Sequence, residues 1–402
     1  MRKQQKLKAK LRFNEYKGKA EDSYKSNLFE DVFAFSTGMN IKQAEASPDF
    51  ATPCVRYGEL YHMYNEVITT VINRTNIDPS ELKFSDGDEI LLPSAGEDPL
   101  DIGSACALTI KGVAIGRTIN ILKPKKANVY DQRFASYYIN QKLRKKISTL
   151  ARGASISNVY NSDLKQLEII LPTLPEQRKI ADFLTAVDGR IQQLSQKLAL
   201  LQDYKKGVMQ QLFTQVLRFK DDHGNDFPDW EEKRVEEMFQ VTRGKVLAMP
   251  ETHSQRSPEF QYPVYSSQTS NNGLAGYYDT FLFRDAITWT TDGANAGDVK
   301  FRKGEFYCTN VCGVLLSDNG YANEFVAAML GTVTRKHVSY VGNPKLMNNV
   351  MSQISISVPS SLSEQTKIAN FLTALDRKIE SVSQQIALTQ TFKRGLLQQM
   401  FV

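Results

Sequence analysis

Cysteine, tryptophan and histidine are all scarce in this chain of 402 residues, with four, two and four of each. Cys54, Cys106, Cys308 and Cys312 are too few and too scattered to staple a chain of this length, so a reducing compartment is expected. Cys308 and Cys312 lie in an apolar run without a second pair, and His62, His223, His253 and His337 are dispersed, so no metal site is expected. No apolar run approaches the ~18 residues of a membrane span. The basic start, MRKQQKLKAKLRF, lacks the apolar stretch and small-residue cleavage site of a secretory signal.

Catalytic signatures are missing as well. No Gly-rich phosphate loop ending in Lys-Ser or Lys-Thr occurs, which argues against an ATP-driven motor. No Asn-Pro-Pro-aromatic or Asp-Pro-Pro-Tyr run and no Gly-rich strand-to-helix fingerprint occur, which argues against an amino-methyltransferase. Pro228-Asp229-Trp230-Glu231-Glu232-Lys233 has the letters of a nuclease pattern, but its carboxylates crowd into one short stretch, and a surface turn is expected instead. No catalytic residue is expected. The composition is that of a reader of other molecules.

What is present is a repeat. Residues 176–213 recur as residues 364–401 without a gap, and 21 of the 38 aligned positions are identical. A weaker repeat heads each half: Leu11-Arg12-Phe13 matches Leu217-Arg218-Phe219, and Glu30, Phe33 and Gly38 match Glu236, Phe239 and Gly244. The chain therefore reads head, body, tail, twice over.

Both tails read as helices opened by capping boxes, Thr173 with Glu176 and Ser361 with Glu364. Val187, Ile191, Leu194, Leu198 and Leu201 step by four and three, the seam of a coiled coil, and Leu375, Ile379, Val382, Ile386 and Leu396 repeat it. Lys205 and Lys393 interrupt that seam, where a long side chain snorkels out or meets another subunit. One helix of this kind cannot bury its own stripe. Two in one chain are expected to pack on each other as an antiparallel intramolecular coiled coil.

The bodies alternate short β-branched or aromatic runs with Gly, Asn, Asp and Ser turns, and each ends in a strand-like run into proline, LEIILP and ISISVP. The expected fold is α+β, with two mixed α/β bodies, mostly antiparallel sheets and pseudo-twofold tandem duplication. Polar turns recur in both bodies. In the first, the candidates for contact with nucleic acid are Arg56, Tyr57, Glu59, Tyr61, Ser94, Arg152 and Ser155. In the second they are Arg243, Lys245, Ser266, Ser267, Gln268, Asn295, Asn343 and Lys345. Arginine pairs with guanine, Asn and Gln with adenine, and Ser with phosphate, which makes these residue types fit DNA.

The net charge of +6 permits a polyanionic partner without requiring one, so its distribution matters. Arg2, Lys3, Lys6, Lys8, Lys10 and Arg12 form one basic cluster, Lys123, Lys125 and Lys126 a second, and Lys142, Arg144, Lys145, Lys146 and Arg152 a third. Phosphate contact is expected there.

On the motif from Pro172 through Ile191, P-x-x-x-E-Q-x-K-I-A-x-F-L-x-x-x-D-x-x-I, and its second copy at PSSLSEQTKIANFLTALDRKI, the chain resembles the specificity subunit of type I restriction–modification enzymes. The resemblance implies a first target recognition domain over 1–171 with a basic arm and a first conserved helix over 172–216. It implies a second recognition domain over 217–359 and a second helix over 360–402. It further implies that each body reads one half of a bipartite, asymmetric double-stranded DNA target while the helices set the spacing. Two modification subunits carrying S-adenosylmethionine would assemble on the helices, and restriction subunits would supply ATP and Mg chemistry. The chain itself would hold no cofactor and work in the prokaryotic cytoplasm at the nucleoid. A non-enzymatic coiled-coil adaptor whose bodies bind proteins is the alternative.

Overall fold

The computed structural model describes residues 9–17, 24–153, 155–267 and 270–402. Arg2, Lys3, Lys6, Lys8 and Gln268, all expected to meet DNA, lie outside the described residues. Two helices, Leu174–Phe213 and Leu362–Met400, carry the near-identical tails. The chain forms two compact units, residues 1–195 with 384–402, and residues 196–383. Each unit thus holds the opening part of one long helix and the closing part of the other, or the reverse.

Within each unit the two helix parts pack antiparallel. In unit one, Ile180, Ala181, Leu184 and Val187 share a core with Leu396, Leu397 and Met400. In unit two, Val208 and Leu212 share a core with Ile368 and Leu372. Along the expected seam, Val187, Leu194, Leu375, Val382 and Leu396 are buried, while Ile191, Leu198, Leu201, Ile379 and Ile386 are half-buried. A narrow stripe with graded burial is what a two-helix seam leaves to solvent at its flanks.

The interrupting lysines are held by carboxylates rather than snorkelling free. Lys205 Nζ meets Asp376 at 2.6 Å within unit two, and Lys393 Nζ meets both Asp188 and Glu66 at 2.8 Å within unit one. The seam position is occupied by an ion pair because the aspartate of the repeated motif faces it from the other helix.

The capping glutamates also do different work. Glu176 is fully buried, and Arg12 grips it with Nε at 2.8 Å and Nη2 at 2.6 Å; Arg218 grips the fully buried Glu364 at 3.2 and 2.9 Å. A buried carboxylate needs a charged partner, and a bidentate guanidinium meets that need better than a capping amide. The adjacent head phenylalanines pack on the tails, Phe13 edge-on against Phe183 and Phe219 tilted against Phe371. Gln177 and Gln365 donate to the carbonyls of Pro172 and Pro359 at 2.9 and 2.8 Å. The Glu-Gln pair of the repeated motif is therefore internal, and Arg12 leaves the list of phosphate-binding residues.

Unit one carries a five-stranded sheet in the order Phe33–Thr37, Ile119–Pro124, Glu89–Pro93, Cys106–Leu108, Val67–Ile68, antiparallel except at the last pair. Unit two has the corresponding order Gln240–Arg243, Cys312–Leu316, Phe283–Thr290, Val299–Cys308, Tyr262–Tyr265, followed by Leu274–Tyr278. Here too the one parallel pair is Tyr262–Tyr265 with Val299–Cys308. The runs into proline become strands Glu168–Leu171 and Ser355–Pro359, paired with Lys25–Leu28 and Trp230–Arg234. The nuclease-like string is thus not the surface turn expected of it: from Trp230 onward it is a strand in which Lys233 pairs with Glu231, and Arg218 lies 3.6 Å from Asp229 just before it. All four cysteines are free and buried. Among the described residues no helix is long and apolar enough to cross a membrane.

Candidate nucleic-acid interface

Four chain segments converge at one end of the sheet strands in unit one, forming an edge of the unit, and their counterparts do the same in unit two. The frame is made of main-chain hydrogen bonds. Met39 N–H donates to Ile115 O at 2.9 Å, and Lys245 N–H to Cys308 O at 3.0 Å. Gly116 N–H donates to Val55 O at 2.9 Å, and Thr309 N–H to Tyr265 O at 3.0 Å. Ser94 N–H donates to Thr118 O at 3.0 Å, and Thr291 N–H to Val311 O at 3.0 Å. The fourth segment is a short hairpin docked by Val159 N–H on Ser94 O at 3.0 Å, and by Leu346 N–H on Thr291 O at 2.9 Å.

That hairpin is closed in unit one by reciprocal bonds between Arg152 and Asn158, at 3.0 and 2.8 Å. In unit two the same bonds join Ser339 and Lys345, at 2.8 and 2.9 Å. Its base is fixed by Asn161 Nδ2 on Ser36 O at 3.2 Å, and by Asn348 Nδ2 on Thr242 O at 3.3 Å. The glycine repeated between the heads has its reason here. A Cβ on Gly38 would lie 2.1 Å from Ile115 O, and one on Gly244 would lie 2.1 Å from Cys308 O. Only glycine lets the first segment run this close to the central turn.

The side chains on this frame differ between units. In unit one, Arg56 and Tyr57 are half-buried, Ser94 is half-buried, and Arg152 and Ser155 are exposed. Arg152 is tethered to Asp163 at 3.2 Å. In unit two, Ser266 and Ser267 take the places of Arg56 and Tyr57, with Thr309 Oγ1 donating to Ser266 Oγ at 3.0 Å. Lys245, Asn343 and Lys345 are exposed. Arg243 is half-buried 3.9 Å from Asp292, and its Nε and Nη2 are buried without a hydrogen-bond partner among the described residues. Asn295 lends its carbonyl to Asp298 N–H at 3.0 Å.

Four candidates have other duties. Glu59 is buried; its carboxylate accepts from Arg56 N–H at 3.2 Å and Asn73 Nδ2 at 3.0 Å, although burial still pushes its pKa up. It frames the Arg56 turn from inside. Tyr61 is half-buried, with its ring 4.4 Å from that of His62. Lys123, in a basic cluster, is neutralised by Asp86 and by Glu89 at 3.2 Å, and Lys125 is tied to Glu30 O at 2.9 Å. Lys126, Lys142, Lys145 and Lys146 remain exposed.

Two residues at the centre of the frame escaped sequence reasoning. Arg117 and Asn310 occupy the same place on the central turn of their units, between Gly116 and Thr118 and between Thr309 and Val311. Both are exposed. The only signal was the Gly-Arg interruption of the run VAIGRTINIL, which reads as any turn.

The edge therefore offers exposed Arg and Ser side chains in unit one and exposed Lys and Asn side chains in unit two, on a hydrogen-bonded backbone, which is chemistry for phosphates and base edges. The chain is similar to known proteins of one kind. A type I specificity subunit N-terminus from Mycoplasma pneumoniae is 37% identical over 142 residues, 35% of this chain and 74% of that one. The specificity subunit of the type I restriction enzyme MpnII from the same organism is 33% identical over 158 residues, 39% of this chain and 46% of that one. The crystal structure of a type I restriction–modification S subunit from M. genitalium shares the fold, with a TM-score of 0.71, 18% identity, and coverage of 98% of this chain and 99% of that one. Residues 28–202 and 228–390 match the type I restriction modification DNA specificity domain, and the chain belongs to that family.

Proposed function

We propose that each unit reads one half of a bipartite, asymmetric DNA target through its four-segment edge, and that the long helices carry the spacing between half-sites. The observation that carries this reading is the edge itself. One backbone frame is built twice, and it presents Arg117, Arg152 and Ser155 in one unit but Lys245, Asn310 and Lys345 in the other. Equal frames with unequal side chains suit unequal half-sites. The family match favours this over a protein-binding adaptor.

Partners follow from a second repeated feature. Leu200 and Leu388 are each 70% exposed, and Tyr204 and Phe392 are 53% and 54% exposed, one pair in each unit. The pairs occupy equivalent positions of the repeat, so each is a site for one copy of the same protein. We assign them to two modification subunits, which bring S-adenosylmethionine and methylate adenine; restriction subunits bring ATP and Mg. The chain contributes recognition and scaffold without catalysis or cofactor, at the nucleoid in the cytoplasm.

The test is reconstitution of the chain with its modification subunits, followed by mapping of methylated adenines on a duplex library. A split motif with two different halves supports the reading. Methylation without sequence preference, or methyl transfer by the isolated chain, overturns it.

A further inference from the structure

The geometry points to Arg117 and Asn310 as equivalent base-reading residues, Arg117 selecting guanine in the first half-site and Asn310 selecting adenine in the second. The inference rests on the DNA-reading function proposed above.

The two residues share a position fixed by main-chain bonds on both sides. The residue before each donates to the neighbouring strand, through Gly116 N–H to Val55 O and Thr309 N–H to Tyr265 O. The residue after each accepts from the third segment, through Thr118 O from Ser94 N–H and Val311 O from Thr291 N–H. The turn tip is therefore held still while its side chain is free. Neither Arg117 nor Asn310 makes a hydrogen bond or ion pair among the described residues, and both are exposed. An arginine on a hydrogen-bonded turn with no acidic partner among the described residues, at the centre of a frame built twice, is unused by the fold.

The neighbours complete the site. Segments flanking the turn carry Arg56 and Arg152 in unit one, and Lys245 and Lys345 in unit two. Those cations suit phosphates, which orient the edge on the duplex without reading sequence. In the complex inferred here the turn tip, lying between those segments, would meet the base edges. There the guanidinium offers two parallel donors, matching O6 and N7 of guanine. The carboxamide offers one donor and one acceptor, matching N7 and N6 of adenine. A Cβ on Gly116 would lie 3.2 Å from Val55 O, so the turn before Arg117 is packed closely against the segment that carries Arg56.

The experiment uses the full chain with its modification subunits and a randomised duplex library read by adenine methylation. Wild type, Arg117→Asn, Asn310→Arg and Arg117→Lys are compared, with thermal unfolding of each chain alongside. Arg117→Asn should move one position of one half-site from guanine to adenine, by roughly 10- to 100-fold in preference, and leave the other half-site unchanged. Asn310→Arg should do the reverse in the other half-site, and Arg117→Lys should keep guanine with weaker discrimination. Variants that fold normally yet read the wild-type target in both halves overturn the inference alone. A wild-type protein with no sequence preference overturns the function beneath it instead.

Discussion

Lys205 Nζ lies 2.6 Å from Asp376 Oδ1, and the repeat-related pair Lys393 and Asp188 meets at 2.8 Å. Each lysine comes from one tail and each aspartate from the other, so the duplicated sequence makes the same bond twice with the donors exchanged. The two pairs are not equal. Lys393 also holds Glu66 at 2.8 Å, and Tyr137 O–H donates to Asp188 at 2.5 Å. Burial pushes the Asp188 carboxyl up in spite of Lys393; at Lys393 burial works against the charge, yet Glu66 and Asp188 raise its pKa.

Lys393→Met should therefore cost more stability than Lys205→Met. Removing Lys393 leaves two carboxylates mostly buried and facing one another, a loss of about 3 kcal/mol. Lys205 and Asp376 are more exposed, and their loss should cost about 1 kcal/mol. Urea unfolding of both variants checks the order, and equal midpoints would contradict it. The raised Lys393 pKa adds a pH signature. Its stabilisation is complete below the ordinary lysine value of about 10.4 and is lost as pH climbs through the higher folded value. On the alkaline side the gap between wild type and Lys393→Met should close only above that range, and on the acid side it should narrow as Asp188, whose carboxyl is pushed up, takes a proton.

Arg218→Ala strands the fully buried Glu364 at the start of the second long helix. We expect a loss of about 3 kcal/mol, whereas replacing both partners by apolar residues of similar volume should recover most of it. Denaturation of the single and double variants separates ion-pair rupture from simple loss of bulk.

Gly244→Ala forces a methyl group into Cys308 O, and Gly38→Ala forces one into Ile115 O. Each variant should lose discrimination at one half-site by at least about tenfold, equivalent to ~1.4 kcal/mol, while the other half-site is read normally. Methylation mapping of the two variants against the same library would show this. Loss of both halves together would mean that the edges do not work independently.

Leu200→Glu and Leu388→Glu should each leave the chain folded, because these side chains are exposed, and each should remove one modification subunit. The measurement is stoichiometry by light scattering. A single variant that still binds two copies would dissociate this surface from docking.

How much of this was legible beforehand divides along a physical line. The tails were legible because side-chain periodicity makes a helix seam, and near-identity makes the duplication plain. The function of Lys205 was not, because its partner Asp376 is 171 residues away along the chain. In the bodies, Arg56 and Ser266 were chosen separately for their residue types, and the fold places them at equivalent positions. Glu59 misled because a carboxylate turned inward onto Arg56 N–H and Asn73 has the same letter as one turned outward. Arg117 and Asn310 were missed because their equivalence is written in backbone bonds, which leave no trace in residue identity.

The main-chain construction of the two edges also bears on how such a protein changes over generations. Because the close approach of the segments is met by glycine at Gly38 and Gly244, away from the turn tips, the exposed tips are open to substitution without unfolding penalties. One codon at position 117 or 310 would then suffice to redirect which sites across a genome receive the methyl mark. New targets would arise in small inherited steps, with the architecture carried along untouched.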